Sequence, residues 1–307
     1  MRKDYQIKEN KVLGLLCKGN KFIFEHDEYY ITLSGKPKCQ SVGGKTGGEP
    51  KTDIYVKAVG ENSQNEVEIK ISFKKKNADF FENKISNERA EQLFGPEWRS
   101  LIIQSTKSIT ENFQNKPLVY KKAQNCTRAK SITLGWKCDV VSKNSGKLIA
   151  KLQLSNPQLK EVYAGTSLPK SKRDSIVNGI IVPNSGIANF IFFADTFDTT
   201  QEIIDQMIDI DEYIQTAPDM YLAFKASNCR FLSDGDTELD GNRPLSVYID
   251  WSLSSGKLTP TIVFNNPLNL KGESVKDQLI CCMQKLSITH PDGINDSNFS
   301  EPSKIFE

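Results

Sequence analysis

The most regular pattern in the chain is a pair of segments in which polar and apolar residues alternate. They are Asp53–Val59 (DIYVKAV) and Glu66–Phe73 (EVEIKISF). A period of two is typical of a strand that has one face on a core. The residues between them, Gly60–Asn65 (GENSQN), are turn formers. The pattern therefore predicts a β-hairpin.

The rest of the chain predicts a mixture of strands and helices, and hence an α/β (α+β) fold. Further strands are expected at Lys21–Phe24, Tyr29–Leu33, Ser131–Val141, Lys147–Leu154, Tyr221–Lys225, Leu245–Trp251 and Pro260–Phe264. Apolar spacings of three and four predict helices in the first residues and at Asn87–Phe94, Glu97–Asn112, Thr200–Gln215 and Ser274–Leu286. Thr199 or Thr200 is the expected N-cap of the third of these four. Residues 34–51 are expected to form a loop, and the polar tail after Ser287 to be poorly ordered.

Composition narrows the class of protein. The 307 residues are 38% hydrophobic and 25% charged, as in folded proteins of one or two domains. We expect a cytoplasmic protein, since the chain shows neither a membrane-spanning apolar run nor a secretory signal. Seven cysteines without a C-x-x-C pair indicate free thiols, and two histidines offer little for a zinc site or a catalytic triad. A net charge of +2 means that any nucleic-acid binding depends on local basic patches.

Candidate chemistry lies on the predicted hairpin. Asp53 opens its first strand, and Glu68-Ile69-Lys70 lies within the second. Carboxylates suit Mg²⁺, and a nearby lysine can orient water or stabilise a phosphoryl transition state. Glu68 and Lys70 are two residues apart and leave the same face of a strand, while the carbonyl of Ile69 offers a further metal ligand.

The same residues have a simpler interpretation as the solvated face of a strand, because an Asp followed by E-x-K is common by chance. Two features favour a nuclease. The glycines of GGEPKTD before the hairpin let a DNA backbone approach closely, and Lys74-Lys75-Lys76 after it suit phosphates.

This block, from GGEPKTD through E-I-K to the serine and lysines that follow, resembles the active-site region of type II restriction endonucleases of the PD-(D/E)XK superfamily. The stretch from Trp251 to Asn266 more loosely resembles a hairpin that such enzymes place against DNA bases. The resemblance implies a central mixed β-sheet flanked by helices, and a C-terminal β-rich DNA-recognition lobe. It also implies that Asp53 and Glu68 are metal ligands and that Lys70 orients the attacking water or helps to deprotonate it.

The resulting hypothesis is a prokaryotic, Mg²⁺-dependent, site-specific deoxyribonuclease that uses one or two ions. A catalytic core is expected in residues 1–160 and a recognition lobe in 161–307, or one continuous domain. Its partners would be double-stranded DNA and, in the cell, a cognate DNA methyltransferase. The expected DNA contacts are Lys51, Thr52, Ser72, Lys74, Lys75, Lys76, Lys170, Lys172, Arg173, Ser252, Ser254, Ser255, Lys257, Asn265 and Asn266.

Two alternatives stay open at this point. One is a structure-specific or repair nuclease with the same core, and the other is a DNA-binding module whose metal site is silent. The sequence leaves open whether the protein is a monomer or a homodimer.

Overall fold

The computed structural model describes residues 2–42, 45–46, 49–74, 80–83, 85–193 and 196–307. The α-helices of this part of the chain are α1 (Arg2–Leu15), α2 (Asn87–Phe94), α3 (Trp98–Lys107), α4 (Thr110–Gln114), α5 (Asn156–Ala164), α6 (Lys170–Arg173), α7 (Thr200–Gln206), α8 (Ile210–Thr216) and α9 (Gly272–Lys285). The strands are β1 (Lys21–Phe24), β2 (Asp27–Gly35), β3 (Ser41–Val42), β4 (Lys45–Thr46), β5 (Ile54–Gly60), β6 (Glu66–Phe73), β7 (Phe80–Glu82), β8 (Val119–Tyr120), β9 (Ser131–Val141), β10 (Ile149–Leu152), β11 (Ile176–Val177), β12 (Ile180–Ile181), β13 (Phe190–Phe192), β14 (Ile208–Asp209), β15 (Met220–Phe231), β16 (Thr237–Leu239), β17 (Val247–Ser254), β18 (Lys257–Val263) and β19 (Ile305–Phe306). The protein is therefore a mixed α/β structure.

The chain divides into two compact units, each built from two stretches. The first unit takes residues 1–79 and 154–218, and the second takes residues 80–153 and 219–307. This interleaved division differs from the predicted boundary at residue 160. The assignment of catalysis to one part and DNA recognition to another remains a prediction.

The first unit contains a mixed sheet with the strand order β1-β2-β5-β6-β13-β14. Its first four strands are antiparallel neighbours, and β13 then lies parallel to β6, with Phe190 opposite Ile71. The predicted hairpin is confirmed as β5 and β6, with Ile54 opposite Ile71 and Val56 opposite Ile69.

One face of the β5–β6 hairpin is a row of apolar side chains because every second residue is apolar. Ile54, Val56, Ile69 and Ile71 are almost fully buried, in one cluster with residues of α1 and α7. Val12 of α1, Leu16 directly after α1, and Ile203 and Ile204 of α7 belong to this cluster. Burial of this cluster holds the hairpin against the two helices, at roughly 1.5–3 kcal/mol for each large side chain.

The second unit is organised around a larger sheet whose main path is β10-β15-β9-β17-β18, with α9 packed against β17. Gly135 of β9 has a φ of +151°, and a Cβ there would lie 2.4 Å from the carbonyl oxygen of Val247. The close approach of β17 to β9 therefore requires glycine at this position.

Several predicted elements are confirmed at their bounds: Lys21–Phe24, Glu66–Phe73, Asn87–Phe94 and Ser131–Val141. The predicted continuous helix Thr200–Gln215 is wrong. The chain leaves the helix at Met207, Ile208–Asp209 pairs with β13, and Asp209 caps α8 by accepting the amides of Asp211 and Glu212. Thr199 is the N-cap of α7, as predicted, since its hydroxyl accepts the amide of Glu202.

The predicted disorder of the C-terminal tail is also wrong. Ile294 and Phe299 are fully buried, and Ile305–Phe306 pairs in parallel with Val119–Tyr120. A few apolar residues in a polar segment are sufficient to anchor it when each of them reaches a core.

Candidate functional site

Asp53 is held at the end of β6 by two backbone hydrogen bonds. Its amide donates to the carbonyl of Ile71 at 2.8 Å, and its Oδ2 accepts the amide of Phe73 at 2.8 Å. The Lys74 Nζ lies 3.8 Å from the same Oδ2. The side chain is 18% exposed, so that a largely buried carboxylate is fixed just before β5 begins.

A second carboxylate, Glu9 of α1, acts on Asp53. Burial raises the pKa of Asp53, and the negative charge of Glu9 raises it further, against the lowering effects of Lys74, of the Phe73 amide and of Lys36. Glu9 is itself buried, and its Oε1 lies 2.5 Å from the Lys36 Nζ. Two buried acids therefore share one region of the first unit.

Lys36 provides the compensating charge. Burial lowers its pKa, but the ion pair with Glu9 and the charges of Glu49 and Asp53 outweigh this effect, and the net pKa is raised. Lys36 therefore stays protonated in a setting of three carboxylates.

Glu9 was not predicted from the sequence, although a signal for it exists. Glu9 and Val12 lie on one stripe of α1, which Leu16 continues directly after the helix at spacings of three and four, and all three are buried. A carboxylate on the apolar stripe of a helix requires a partner in the interior, and this requirement marks Glu9 as a site candidate.

Glu68 and Lys70 lie side by side on β6, as the alternation predicts. The Lys70 Nζ is 3.6 Å from the Glu68 Oε2, and the side chains are 14% and 38% exposed respectively. The hydroxyl of the buried Tyr55 donates to the Glu68 Oε1. Burial and this hydrogen bond raise the pKa of Tyr55, which stays a donor.

The backbone on either side of Ile69 is held by Asn189, which immediately precedes β13. Its Oδ1 accepts the Lys70 amide at 2.7 Å, and its Nδ2 donates to the Glu68 carbonyl at 2.8 Å. Its own amide donates to the Lys70 carbonyl at 3.0 Å. The backbone groups of Glu68 and Lys70 on this edge of β6 are therefore hydrogen-bonded by Asn189, just before the parallel strand β13 begins.

The structure does not bring Asp53, Glu68 and Ile69 together as one ligand set. Asp53 bonds Phe73 while Glu68 bonds Tyr55. Ile71, which accepts the Asp53 amide, is three residues from Glu68, or about 10 Å along a strand. Within the described ranges no group of three or more His, Cys, Asp or Glu side chains is arranged to hold a metal ion.

Ile69 has no open carbonyl for a metal in this arrangement. Its side chain belongs to the core, and it pairs with Val56 of β5. The carbonyls of Glu68 and Lys70 face Asn189, so alternation directs the Ile69 carbonyl to the opposite edge, into the β5–β6 ladder.

Two of the expected DNA contacts are corrected by burial. Thr52 and Ser72 are each 1% exposed; the Thr52 amide donates to the Gly186 carbonyl, and Ser72 pairs with Ile191 of β13. Neither hydroxyl is at a surface that DNA can reach. Lys51 and Lys74 are partly exposed in the same region, while Lys75 and Lys76 lie outside the described residues.

The remaining basic contacts expected in the first unit form the short helix α6. Lys170 is exposed, whereas Lys172 and Arg173 are partly buried. The Arg173 Nε lies 3.3 Å from the Asp174 Oδ1, so that one of the three cations is neutralised locally.

The contacts expected in the second unit surround the β17–β18 hairpin. Ser255 and Gly256 form its two-residue turn, with φ values of +50° and +75° and Ser254 paired with Lys257. Ser254, Ser255 and Asn265 are exposed, and Ser252 and Asn266 are partly exposed. The Lys257 Nζ donates to the Asp296 carbonyl at 2.9 Å, and the accessible polar groups here include Ser254 and Ser255 at the turn and Asn265 after β18.

Comparison with known proteins finds no match for this chain among family models, curated proteins or solved structures. In the parts of the chain that the structure describes, every helix is too short or too polar to cross a membrane.

Proposed function

We propose that the protein is a divalent-metal-dependent endonuclease that hydrolyses phosphodiester bonds in double-stranded DNA, as site-specific restriction endonucleases of the PD-(D/E)XK type do. The observation that carries the proposal is the largely buried Asp53, whose pKa burial raises, hydrogen-bonded to the end of the strand that bears Glu68 and Lys70. Perturbed carboxylates concentrate at functional sites. The mixed sheet with helices packed on it agrees with the fold that the sequence resemblance implies.

The donor set fits a hard divalent cation. Asp53 and Glu9 offer carboxylate oxygens in a partly dehydrated region, and the negative charge of Glu9 adds to the burial that raises the pKa of Asp53. Mg²⁺ is commonly held by one or two carboxylates together with water and substrate phosphate. These two residues would hold the ion, in place of the pair Asp53 and Glu68 expected from the sequence. When bound, Mg²⁺ supplies positive charge that activates water and neutralises the phosphate.

The other residues have separate tasks. The Lys70 ammonium, 3.6 Å from Glu68, stabilises negative charge on a phosphoryl oxygen and orients water toward it. Tyr55 fixes the Glu68 carboxylate by hydrogen bonding. Lys74, Lys51 and the cations of α6 contact DNA phosphates without reading the base sequence.

A second candidate function, DNA binding without cleavage, is favoured by one observation. Asp53 and Glu68 contact different residues and form no shared metal site in this arrangement. A silent module of this kind would bind DNA in the absence of a metal and leave it intact.

The deciding experiment incubates the purified protein with unmethylated plasmid DNA and Mg²⁺, alongside Asp53→Asn. Asp198→Asn is the matched control because Asp198 is 84% exposed and pairs with Lys11 at the surface of the same unit. Discrete fragments that are lost only in Asp53→Asn support a site-specific nuclease. A smear, or cleavage confined to junctions, supports the structure-specific alternative. Binding of both methylated and unmethylated DNA without cleavage supports the silent module.

A further inference from the structure

A small hairpin in the first unit has an apolar outer strand. It is formed by strands β11 and β12, in which Ile176 pairs with Ile181 and Val177 pairs with Ile180. Asn178 and Gly179 form the turn, with φ values of +48° and +85°. Two successive residues of positive φ define a tight turn whose twist matches a two-stranded ribbon.

The inner strand of this hairpin is fixed to β2 and to the segment that follows β2. Val177 is fully buried, and the Asn178 Nδ2 donates to the Ser34 carbonyl at 2.7 Å. Ile176 exchanges two backbone hydrogen bonds with Lys38, of 2.9 and 2.8 Å. The hairpin therefore projects from a rigid base.

The outer strand is exposed. Ile180 and Ile181 are 61% and 55% exposed, on opposite faces of the ribbon. Large apolar side chains at adjacent exposed positions are unfavourable in water and commonly mark an interaction site.

Positive charge surrounds the base of the hairpin. Lys38 pairs with Ile176, and α6 with Lys170, Lys172 and Arg173 ends just before β11 begins. Asp174 pairs with Arg173 and offsets only one of these cations. In a symmetric dimer through this surface, the cations of the two copies would face and repel each other. A polyanion with an apolar interior, as a duplex with stacked bases has, would instead match both the positive charge and the exposed isoleucines.

We propose that this hairpin is a wedge for duplex DNA: Ile180 and Ile181 insert between neighbouring base pairs while the surrounding cations bind the phosphates. Branched apolar side chains of this kind unstack base steps in proteins that kink DNA from the minor groove. This inference rests on the proposed function and adds to it a deformation of the substrate that is independent of base sequence.

The test is a plasmid-unwinding assay with a topoisomerase that needs no metal, carried out in EDTA so that metal-dependent cleavage cannot occur. Wild-type protein on relaxed plasmid is compared with Ile180→Ser/Ile181→Ser. The matched control is Ile7→Ser/Ile23→Ser, because Ile7 and Ile23 are 67% and 59% exposed in the same unit. Filter binding and sedimentation are measured on all three proteins.

We expect wild type and control to shift the linking number of the plasmid, and the hairpin variant to lose the shift. Binding by the hairpin variant should weaken by less than about tenfold, since phosphate contacts dominate non-specific affinity. Unwinding retained by the hairpin variant overturns the wedge. A wild-type dimer that dissociates in the hairpin variant assigns the surface to a second copy and also overturns it.

The two proposals fail separately. Metal-dependent cleavage without unwinding rejects the wedge alone, whereas a wild-type protein that neither binds nor cleaves DNA rejects the proposed function together with the wedge.

Discussion

Asn189 and Lys70 are joined by two hydrogen bonds, in which the amide of Lys70 donates to the Asn189 Oδ1 and the amide of Asn189 donates to the Lys70 carbonyl. The Asn189 Nδ2 also reaches the carbonyl of Glu68. The side chain and the amide of Asn189 therefore hydrogen-bond the outer backbone edge of β6 along the segment that bears Glu68 and Lys70, just before β13 begins.

We predict that Asn189→Ala lowers the free energy of unfolding by about 1–2 kcal/mol, because a backbone donor and an acceptor lose their partners. If Asn189 positions Lys70 for catalysis, the turnover number falls while KM changes little. Asn189→Asp keeps the acceptor for the Lys70 amide and should recover part of the turnover. Denaturant unfolding and steady-state cleavage measure the two effects, and an unchanged turnover in a destabilised Asn189→Ala would limit Asn189 to a structural role.

Asp53→Asn should separate stability from activity. The folded-state pKa of Asp53 is raised, so this group favours folding at low pH, and that contribution is lost as the pH rises through the raised pKa. The neutral amide avoids this loss. We expect Asp53→Asn to melt at or above the wild-type temperature at pH 8, and the difference to shrink at low pH. Loss of the carboxylate charge that would hold the metal ion should slow cleavage at least about a hundredfold.

A melting temperature of Asp53→Asn well below wild type at pH 8, with Asp198→Asn unchanged, would show that the charge of Asp53 stabilises the fold through Lys74 and the Phe73 amide.

Mg²⁺ should raise the melting temperature of the wild-type protein, and more so as the pH rises, because protons compete with the ion for a carboxylate of raised pKa. Glu9→Gln and Asp53→Asn should remove this stabilisation, whereas Glu68→Gln should keep it. Thermal melts over a Mg²⁺ series at several pH values measure the effect. The opposite result, in which Glu68→Gln removes it and Glu9→Gln does not, would restore the ligand pair expected from the sequence.

Gly186 positions the approach to Asp53 through its backbone. Its carbonyl accepts the amides of Lys51 and Thr52 at 3.0 and 3.2 Å, and a Cβ at Gly186 would lie 1.9 Å from the Lys172 carbonyl oxygen. Gly186→Ala should therefore cost about 1–3 kcal/mol of stability. Gly14→Ala is the matched control, because Gly14 lies in α1 with no atom near its Cβ position and alanine favours helices. Equal melting temperatures for the two variants would contradict the close packing at Gly186.

Local patterns were sufficient to predict much of the antiparallel part of the first sheet. β6 was found at its bounds because polar residues alternate with apolar ones along its first seven residues. Phe190–Phe192 was missed, since three residues show no period, and its pairing with β6 depends on a partner more than a hundred residues away.

The candidate site was predicted in part for the same reason. Asp53, Glu68 and Lys70 lie in one hairpin, where spacing along the chain indicates proximity. Glu9 and Asn189 reach the site from a helix and a late segment. The apolar stripe of α1 indicates that Glu9 is buried, but only tertiary packing determines which residues Glu9 and Asn189 meet.

The parallel pairing of β13 with β6 has a consequence for synthesis on the ribosome. The two strands are separated by residues 74–189, which include the first stretch of the second unit. Because translation proceeds at about 5–20 residues per second, β6 is synthesised roughly 6–24 s before its neighbour β13. During that interval the nascent chain exposes an unpaired strand edge whose apolar residues are buried in the folded protein, and such an edge can start aggregation. A chaperone that binds this edge co-translationally would raise the yield of folded protein most, and slow translation between the two strands would lower it.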